Sequence, residues 1–319
     1  MTIGIAAAGK GAGLGVFRAL AAVEKVGRGA IGGFVSMAAI TGDGRLLRAE
    51  TQRGGTLTLF TEGETTGTLP PDDIALAPFA VVMSSGPDRP HPLAQFTPGD
   101  PLAGLVTGHR LPNMPGAGGK IPNLEVLERL RAGADARSAV NEVLAAMPDA
   151  DAGVVAIDLS GWIHLGNTDF TATRGDLGQA LMEAPHGRAA VLHNAIHPHR
   201  GLAELAAATA LDAMAPGDRS DFDVTFNGNV PLELGPANVA LIDDEGRIAM
   251  IRVTQASWLG TTFEGAAINF NAAICRNETL LGHAVSEPYC VARNRHVISM
   301  SGSSHARIGV RAIRPSSPG

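Results

Sequence analysis

The sequence predicts an α+β fold in which antiparallel hairpins and helices are arranged in layers. Three stretches each have an apolar run of strand length, a short turn ending in glycine, and a second run of alternating polarity, which is typical of β-hairpins. They are residues 34–51, 153–168 and 238–254, with turn glycines at Gly44, Gly161 and Gly246. Helical patterns separate these hairpins, whereas a parallel sheet would need long crossovers between its strands. We therefore expect an αββα-type sandwich of mainly antiparallel hairpins flanked by helices.

The other elements follow from hydrophobic periodicity and from helix start and stop residues. The apolar run Ile3–Ala8 predicts a strand that leads through a glycine turn into a helix. Asn123 is expected to cap a helix that stops at Gly133. Further helices are predicted over 13–27, 134–147, 201–214 and part of 262–285, strands over 74–85 and 295–300, and loops over 61–73, 86–122 and 214–236.

Length and composition indicate one globular domain over 1–314 and a frayed tail over 315–319. Hydrophobic residues make up 45% of the chain and aromatic residues only 4%, so the core must be built from small aliphatic side chains. The net charge of -6 and the lack of a basic stripe make nucleic acid an unexpected partner. No apolar run reaches the roughly 18 residues that span a bilayer, and no signal peptide is evident, so we expect no membrane association and a cytoplasmic location.

Four glycines near the start of the chain raise the possibility of a nucleotide site. Gly9, Gly11, Gly13 and Gly15 have the spacing G-x-G-x-G-x-G. The dinucleotide fingerprint needs G-x-G-x-x-G and an acidic residue about 20 positions later, and neither is present. The glycines favour a sharp strand-to-helix turn with close packing, and no cofactor is expected.

Thr2 indicates a different use of the same strand. Methionine before a small residue is normally removed, which leaves Thr2 with a free α-amine. Such an amine titrates near pH 8, so its neutral form can take the proton from the hydroxyl of its own residue. The strand Ile3–Ala8 would hold this nucleophile on a rigid element.

A family resemblance follows from these residues. Thr2 at the head of "TIGIAAAG", hairpins such as "GVVAIDLSGWIHLGNT", and the helix that feeds the latter hairpin in "LRAGADARSAVNEVLAAMPDADAGVVAIDLSG" resemble the N-terminal-nucleophile (Ntn) hydrolase superfamily. The resemblance implies a four-layer αββα fold and hydrolysis of amide bonds. It covers roughly half of the chain as a pattern, and no diagnostic motif of a subfamily is present.

The run "VLHNAIHPHRG" has the densest polar chemistry in the chain. It contains His193, Asn194, His197, His199 and Arg200 at the end of a predicted strand. His197 and His199 would share one face of an extended segment and could chelate a metal. The histidines could instead line a substrate pocket in which Arg200 grips a carboxylate.

The leading hypothesis is an amide hydrolase that acts on a small substrate able to carry a carboxylate, without a metal. Thr2 would be the nucleophile, His193 and Asn194 would complete the catalytic group, and Asn194 or a backbone amide would stabilise the oxyanion. Lys120, His197 and Arg200 would contact the substrate, with Lys120 following a glycine-rich loop that could form an anion nest. Two alternatives are a metal-assisted hydrolase or lyase that uses the histidines of 193–199, and a non-catalytic homo-oligomer whose glycine loops hold a small anion.

Overall fold

The computed structural model describes residues 1–62, 64–215 and 221–313. The chain divides into two compact units, Met1–Ala215 (unit 1) and Pro216–Gly319 (unit 2). The sequence had led us to expect one domain over 1–314, and the structure differs because contacts cluster separately on the two sides of residue 215. The tail predicted over 315–319 lies outside the described residues.

Unit 1 alternates strands with helices. In chain order its elements are β1 (Thr2–Ala8), α1 (Ala12–Val26), β2 (Phe34–Ile40), β3 (Leu46–Gln52), α2 (Thr56–Leu59), β4 (Thr61–Glu62), β5 (Thr65–Thr66), α3 (Asp72–Ala75), β6 (Phe79–Ser85), β7 (Gly99–Asp100), β8 (Gly104–Arg110), α4 (Pro122–Arg131), α5 (Ala136–Ala146), β9 (Ala152–Asp158), β10 (Ile163–Asn167), α6 (Asp169–Ala172), β11 (Leu177–Ala184), β12 (Gly187–Asn194) and α7 (His199–Met214).

Two antiparallel sheets organise unit 1. One has six strands in the order β11-β12-β1-β6-β2-β3, and the other has four in the order β10-β9-β8-β7. Strand β1 is buried on both faces because its alternate residues enter different cores: Ile3 and Ile5 pack with α1 and α7, and Ala6 packs with Leu105 and Ile157 of the four-stranded sheet. Helices α4 and α5 cover the other face of the four-stranded sheet. The N-terminal strand is therefore central in its sheet and faces both a helix pair and a second sheet.

The three predicted hairpins are all present. Two of them are β2–β3 and β9–β10 of unit 1, and their turn glycines, Gly44 and Gly161, both have φ of 79°. A positive φ is a conformation that glycine adopts without steric cost, which is why the turns could be found in the sequence.

Two local predictions in unit 1 are wrong. Asn123 does not cap α4, since it lies inside the helix, where its buried side chain donates a hydrogen bond to the Gln95 carbonyl over 2.8 Å. The predicted loop 86–122 contains β8, an almost fully buried strand. Asp135 caps α5 by accepting a hydrogen bond from the Ser138 amide.

Unit 2 consists of strands. They are β13 (Phe222–Phe226), β14 (Val230–Leu234), β15 (Val239–Ile242), β16 (Ile248–Val253), β17 (Thr262–Gly265), β18 (Ala273–Arg276), β19 (Thr279–Ala284), β20 (Cys290–Arg293), β21 (His296–Met300) and β22 (Ala306–Ala312). They form one sheet in the order β13-β22-β19-β18-β15-β16-β14-β21-β20-β17, with the third predicted hairpin as β15–β16.

The helix predicted within 262–285 is wrong, because that stretch forms β17, β18 and β19. Asn277 and Glu278 have φ of 48° and 65° and turn β18 back into β19, which replaces the predicted helix by a hairpin. The chain as a whole is α+β with mainly antiparallel strands. None of the helices in the described ranges is long and apolar enough to cross a membrane.

Candidate active site

Thr2 lies at the centre of a row of residues at one end of the six-stranded sheet. It is paired with Asn194 of β12 on one side and with Ser85 of β6 on the other. Directly opposed residues of antiparallel strands project to the same face. These three side chains therefore share the face that packs against the four-stranded sheet.

The hydroxyl of Thr2 makes two hydrogen bonds. Its Oγ1 donates to Asn194 Oδ1 over 2.8 Å and accepts from the backbone N–H of Arg110 over 2.5 Å. Thr2 is only 2% exposed with Met1 in place, and Asn194 is fully buried. The hydroxyl is thus held in one orientation by groups from β12 and β8.

Close packing of the two sheets brings the Arg110 amide to Thr2. A Cβ at Gly4 would lie 2.4 Å from the carbonyl oxygen of Gly108, so only glycine allows β1 and β8 to approach this closely. The same strand then reaches Arg110 two residues later, whose side chain is ion-paired with Asp151. The Arg110 Nε to Asp151 Oδ1 distance is 2.8 Å.

Two residues beside the Thr2 hydroxyl have backbone conformations that non-glycine residues rarely adopt. Arg110, the amide donor, has φ of 66°, and Ala195, which follows Asn194, has φ of 56°. Such conformations cost on the order of 1 kcal/mol or more and cluster at functional sites. Both lie directly next to groups that contact Thr2.

A buried polar chain extends from Asn194 away from Thr2. His109 of β8 is fully buried, and its Nε2 lies 2.6 Å from Asn167 Oδ1. Burial lowers the pKa of His109 to about 4, against the opposing effect of the neighbouring side chains of Asn167 and Asn194. His109 is therefore neutral at physiological pH. Its Nδ1 and the Asn194 Nδ2 are close but complete no hydrogen bond.

The unpaired Asn194 Nδ2 is the most informative atom of the site. A buried amide donor without an acceptor is costly, and such groups in native structures call for an explanation. The other end of the same amide accepts the hydrogen bond from the Thr2 hydroxyl. Asn194 thus holds a donor in reserve next to the reacting oxygen, which is the geometry that an oxyanion requires.

Positive charge surrounds the chain terminus next to Thr2. The pKa of the Met1 amine is lowered, first by burial and then by Arg110, Arg89 and Arg174, while Asp176 opposes the effect. Met1 itself is 43% exposed, and its Sδ accepts a hydrogen bond from the Ala30 amide over 2.9 Å. An amine in this environment loses its proton more readily than an ordinary chain terminus.

His193, predicted to act with Thr2, lies on the opposite face of the sheet. It is paired with Ile3, whose side chain packs in the core beneath α1 and α7. Both ring nitrogens of His193 are buried without a hydrogen-bond partner, and burial lowers its pKa to about 4. The structure thus brings Thr2 to Asn194 and leaves His193 on the helix side.

The remaining predicted residues are dispersed. Lys120 is exposed, and its Nζ lies 2.8 Å from Glu125 Oε2. His197 is exposed, pairs through its backbone with Arg28, and has its ring centroid 3.9 Å from that of His199. The side chain of Arg200 lies outside the described part of the chain. Within the described part, no three His, Cys, Asp or Glu side chains converge as metal ligands.

Two observations bear on the glycine loop and on the cavities of unit 1. A Cβ at Gly13 would meet the Ile74 carbonyl oxygen at 1.7 Å, so close packing explains that glycine. A cavity of about 430 Å³ is lined by residues that include Arg137, Trp162 and His164, and it shares no residue with the Thr2 cluster.

Sequence reasoning missed His109, Arg110, Ser85 and Arg89. The run "GLVTGHR" has the apolar and β-branched composition of a strand, but it lies in a Gly- and Pro-rich region that we read as a loop. Recognising that strand would have placed a histidine and an arginine at its end, where site residues are common.

The chain belongs to the family described as a domain of unknown function (DUF6963), which matches residues 2–222. This range includes every residue of the Thr2 cluster. A second domain of unknown function (DUF7259) matches residues 229–305. No curated protein and no solved structure matches the chain.

Proposed function

We propose that unit 1 is an αββα sandwich of the Ntn type and that it hydrolyses the amide bond of a small substrate with Thr2 as nucleophile. The observation that carries the proposal is the Thr2 hydroxyl held between Asn194 Oδ1 and the Arg110 amide, beside the unpaired Asn194 Nδ2. The packing of α1 and α7 on one sheet and of α4 and α5 on the other supports the layered architecture. The hydroxyl, the donors and a depressed terminal amine pKa are the components that such a reaction needs.

The reaction begins at the α-amine of Thr2 after Met1 has been removed. The neutral amine takes the proton from Oγ1, and the oxygen attacks the carbonyl carbon of the substrate amide. The tetrahedral oxyanion accepts a hydrogen bond from Asn194 Nδ2, and the Arg110 amide remains directed at Oγ1. The C–N bond then breaks, and the amine leaves with the proton that the α-amine had taken. Water hydrolyses the resulting Thr2 ester, with the α-amine again acting as base.

Removal of Met1 has two consequences for this site. It uncovers Thr2, which is 2% exposed while Met1 precedes it. It also places the new amine one residue closer to Asn194, near the guanidinium groups that lower the pKa of the Met1 amine. The same charges would keep a larger fraction of the Thr2 amine neutral, and therefore basic, at physiological pH.

The test combines intact mass with Thr2 variants. The mass of the purified protein should show that Met1 has been removed. A panel of small amides, including the monoamides of succinic and glutaric acid, is then assayed for ammonia release. Thr2→Ala and Thr2→Val should each lose more than about a thousandfold in kcat/KM, whereas Thr2→Ser should keep part of it.

Thr107→Val is the matched control. Thr107 is a fully buried threonine of the same sheet interface, and its Oγ1 donates to the Val82 carbonyl over 3.2 Å. Its replacement should leave the hydrolysis rate within about threefold, since it contacts no reacting group. Retained Met1 in active protein, or full activity of Thr2→Val, would refute the proposal. The second alternative, a metal-assisted reaction, has no supporting ligand cluster among the described residues.

A further inference from the structure

The charges near the terminus are unbalanced. Arg110 is ion-paired with Asp151, and Arg174 with Asp176. Arg89, which also acts on the terminal amine, has no carboxylate partner within the described ranges. The cluster therefore carries one guanidinium that the described side chains leave uncompensated.

Arg89 is held in a defined position despite this. Its Nε donates to Ser85 Oγ over 3.2 Å. Its backbone is fixed by Gln52, whose Oε1 accepts from the Arg89 amide over 2.9 Å and whose Nε2 donates to the Arg89 carbonyl over 2.6 Å. The side chain is partly buried, and this burial lowers the pKa of the guanidinium. A partly desolvated cation in a fixed position is well suited to bind an anion.

The position of Arg89 relative to Thr2 defines what that anion can be. Ser85 is directly opposite Thr2, and facing Cβ atoms of paired strands are about 5 Å apart. With the Ser85–Arg89 hydrogen bond added, the guanidinium lies no more than about 10 Å from the Thr2 hydroxyl. A substrate bound to both groups needs only a short spacer, on the order of two to four carbon atoms at about 1.5 Å per bond.

We propose that Arg89 binds a carboxylate of the substrate and that the substrates are monoamides of short dicarboxylic acids. The inference rests on the proposed function of Thr2 and assigns the recognition of the acid to a residue other than Lys120, His197 or Arg200. Arg89 is a specificity residue in this scheme. It takes no part in proton transfer, and it selects amides that carry an acid at the far end.

A binding experiment tests Arg89 without requiring catalysis. Glutarate is titrated calorimetrically into Thr2→Ala protein, with and without Arg89→Met. Loss of a charge-assisted hydrogen bond should weaken glutarate binding by about 10- to 100-fold. Arg89→Lys should fall between the two, because it keeps the charge but loses the planar fork. Melting temperatures of all variants confirm that the fold is retained.

Arg53→Met is the matched control. Arg53 is a neighbouring arginine that is ion-paired with Asp88, and its side chain is 83% exposed. Its replacement should change the glutarate affinity by less than about twofold, as expected for an exposed pair.

A rate experiment separates the failure of this inference from the failure of the proposed function. The mono-p-nitroanilide of glutaric acid is compared with its methyl ester, which lacks the charge. The wild type should prefer the acid by about tenfold or more in kcat/KM, and Arg89→Met should abolish that preference. An equal preference in wild type and Arg89→Met would overturn the role of Arg89 while leaving Thr2 hydrolysis intact. Arg89-dependent glutarate binding without hydrolysis of any amide would instead overturn the hydrolase and leave a carboxylate site. Glutarate binding that does not depend on Arg89 would overturn the inference outright.

Discussion

His109 should make unit 1 lose stability as the pH falls through the weakly acidic range. This imidazole is fully buried, and its pKa is lowered from 6.5 to about 4 because burial disfavours the charged form. The unfolded chain takes up the proton near pH 6.5, whereas the folded chain resists it until near pH 4. Since the unfolded state binds more protons in this window, the free energy of unfolding falls as the pH decreases.

The size of the effect follows from the two pKa values. Each pKa unit corresponds to about 1.4 kcal/mol, so His109 contributes about 3 kcal/mol that is present above pH 6.5 and lost by pH 4. At an experimental pH of about 4.5 most of it, about 2.5 kcal/mol, should already be lost. His193, whose pKa is also lowered to about 4, adds a second contribution in the same window.

The assay compares wild type with His109→Gln, whose amide can still donate to Asn167. Urea unfolding is measured at about pH 7 and about pH 4.5, in a Trp258→Phe background. Trp162 of unit 1 is then the sole tryptophan reporter, because the chain has two tryptophans. This choice avoids mixing the transitions of two units.

We expect the loss between the two pH values to be about 2.5 kcal/mol smaller in His109→Gln than in wild type. His91→Gln serves as the control, since the His91 side chain is exposed, and it should leave the loss unchanged. Equal losses in wild type and His109→Gln would show that burial does not keep His109 neutral, and the reasoning would fail.

Three further predictions concern the site and its scaffold. Asn194→Ala should lower kcat for amide hydrolysis by about 100- to 1,000-fold with little change in KM, because it removes the oxyanion donor, and a loss confined to KM would contradict that role. The pH dependence of kcat/KM should show an ascending limb with a midpoint below 8.0, because the terminal amine must be neutral to act as a base and its surroundings lower its pKa; a midpoint at or above 8.0 would argue against the amine as base. Gly4→Ala should destabilise unit 1 by about 2 kcal/mol or more in urea unfolding, because the added Cβ would lie 2.4 Å from the Gly108 carbonyl oxygen. Gly42→Ala, where nothing lies within 4 Å of the added Cβ, should have little effect, and similar losses in both variants would contradict the close approach of the sheets.

Elements with a local signal were predictable. The hairpins β2–β3, β9–β10 and β15–β16 combine an apolar run with a turn glycine of positive φ, and both features are visible in the sequence. Helices α1, α5 and α7 show their apolar stripe in the same way. Short-range periodicity suffices in these cases because neighbours in the chain determine the conformation.

Elements without a local signal were missed or misread. Strand β8 lies within a Gly- and Pro-rich region, and its burial results from its position between β9 and β7 and beneath β1 and β6. The stretch 262–285 has an alanine- and leucine-rich composition that favours a helix, but the asparagine turn at Asn277 and pairing within the sheet of unit 2 override that preference.

The sequence alone was enough to single out Thr2, Asn194 and an antiparallel α+β architecture, because each follows from residue type and from spacing within a short window. The partners of Thr2 were settled only by the tertiary structure. Asn194 lies 192 residues away and Arg110 lies 108 residues away, and sheet pairing brings both to one hydroxyl. Side chains alternate between the faces of a strand, so the register of β12 decides which of two adjacent polar residues meets Thr2. That register places Asn194 at the nucleophile and His193 beneath the helices, a choice that no local pattern encodes.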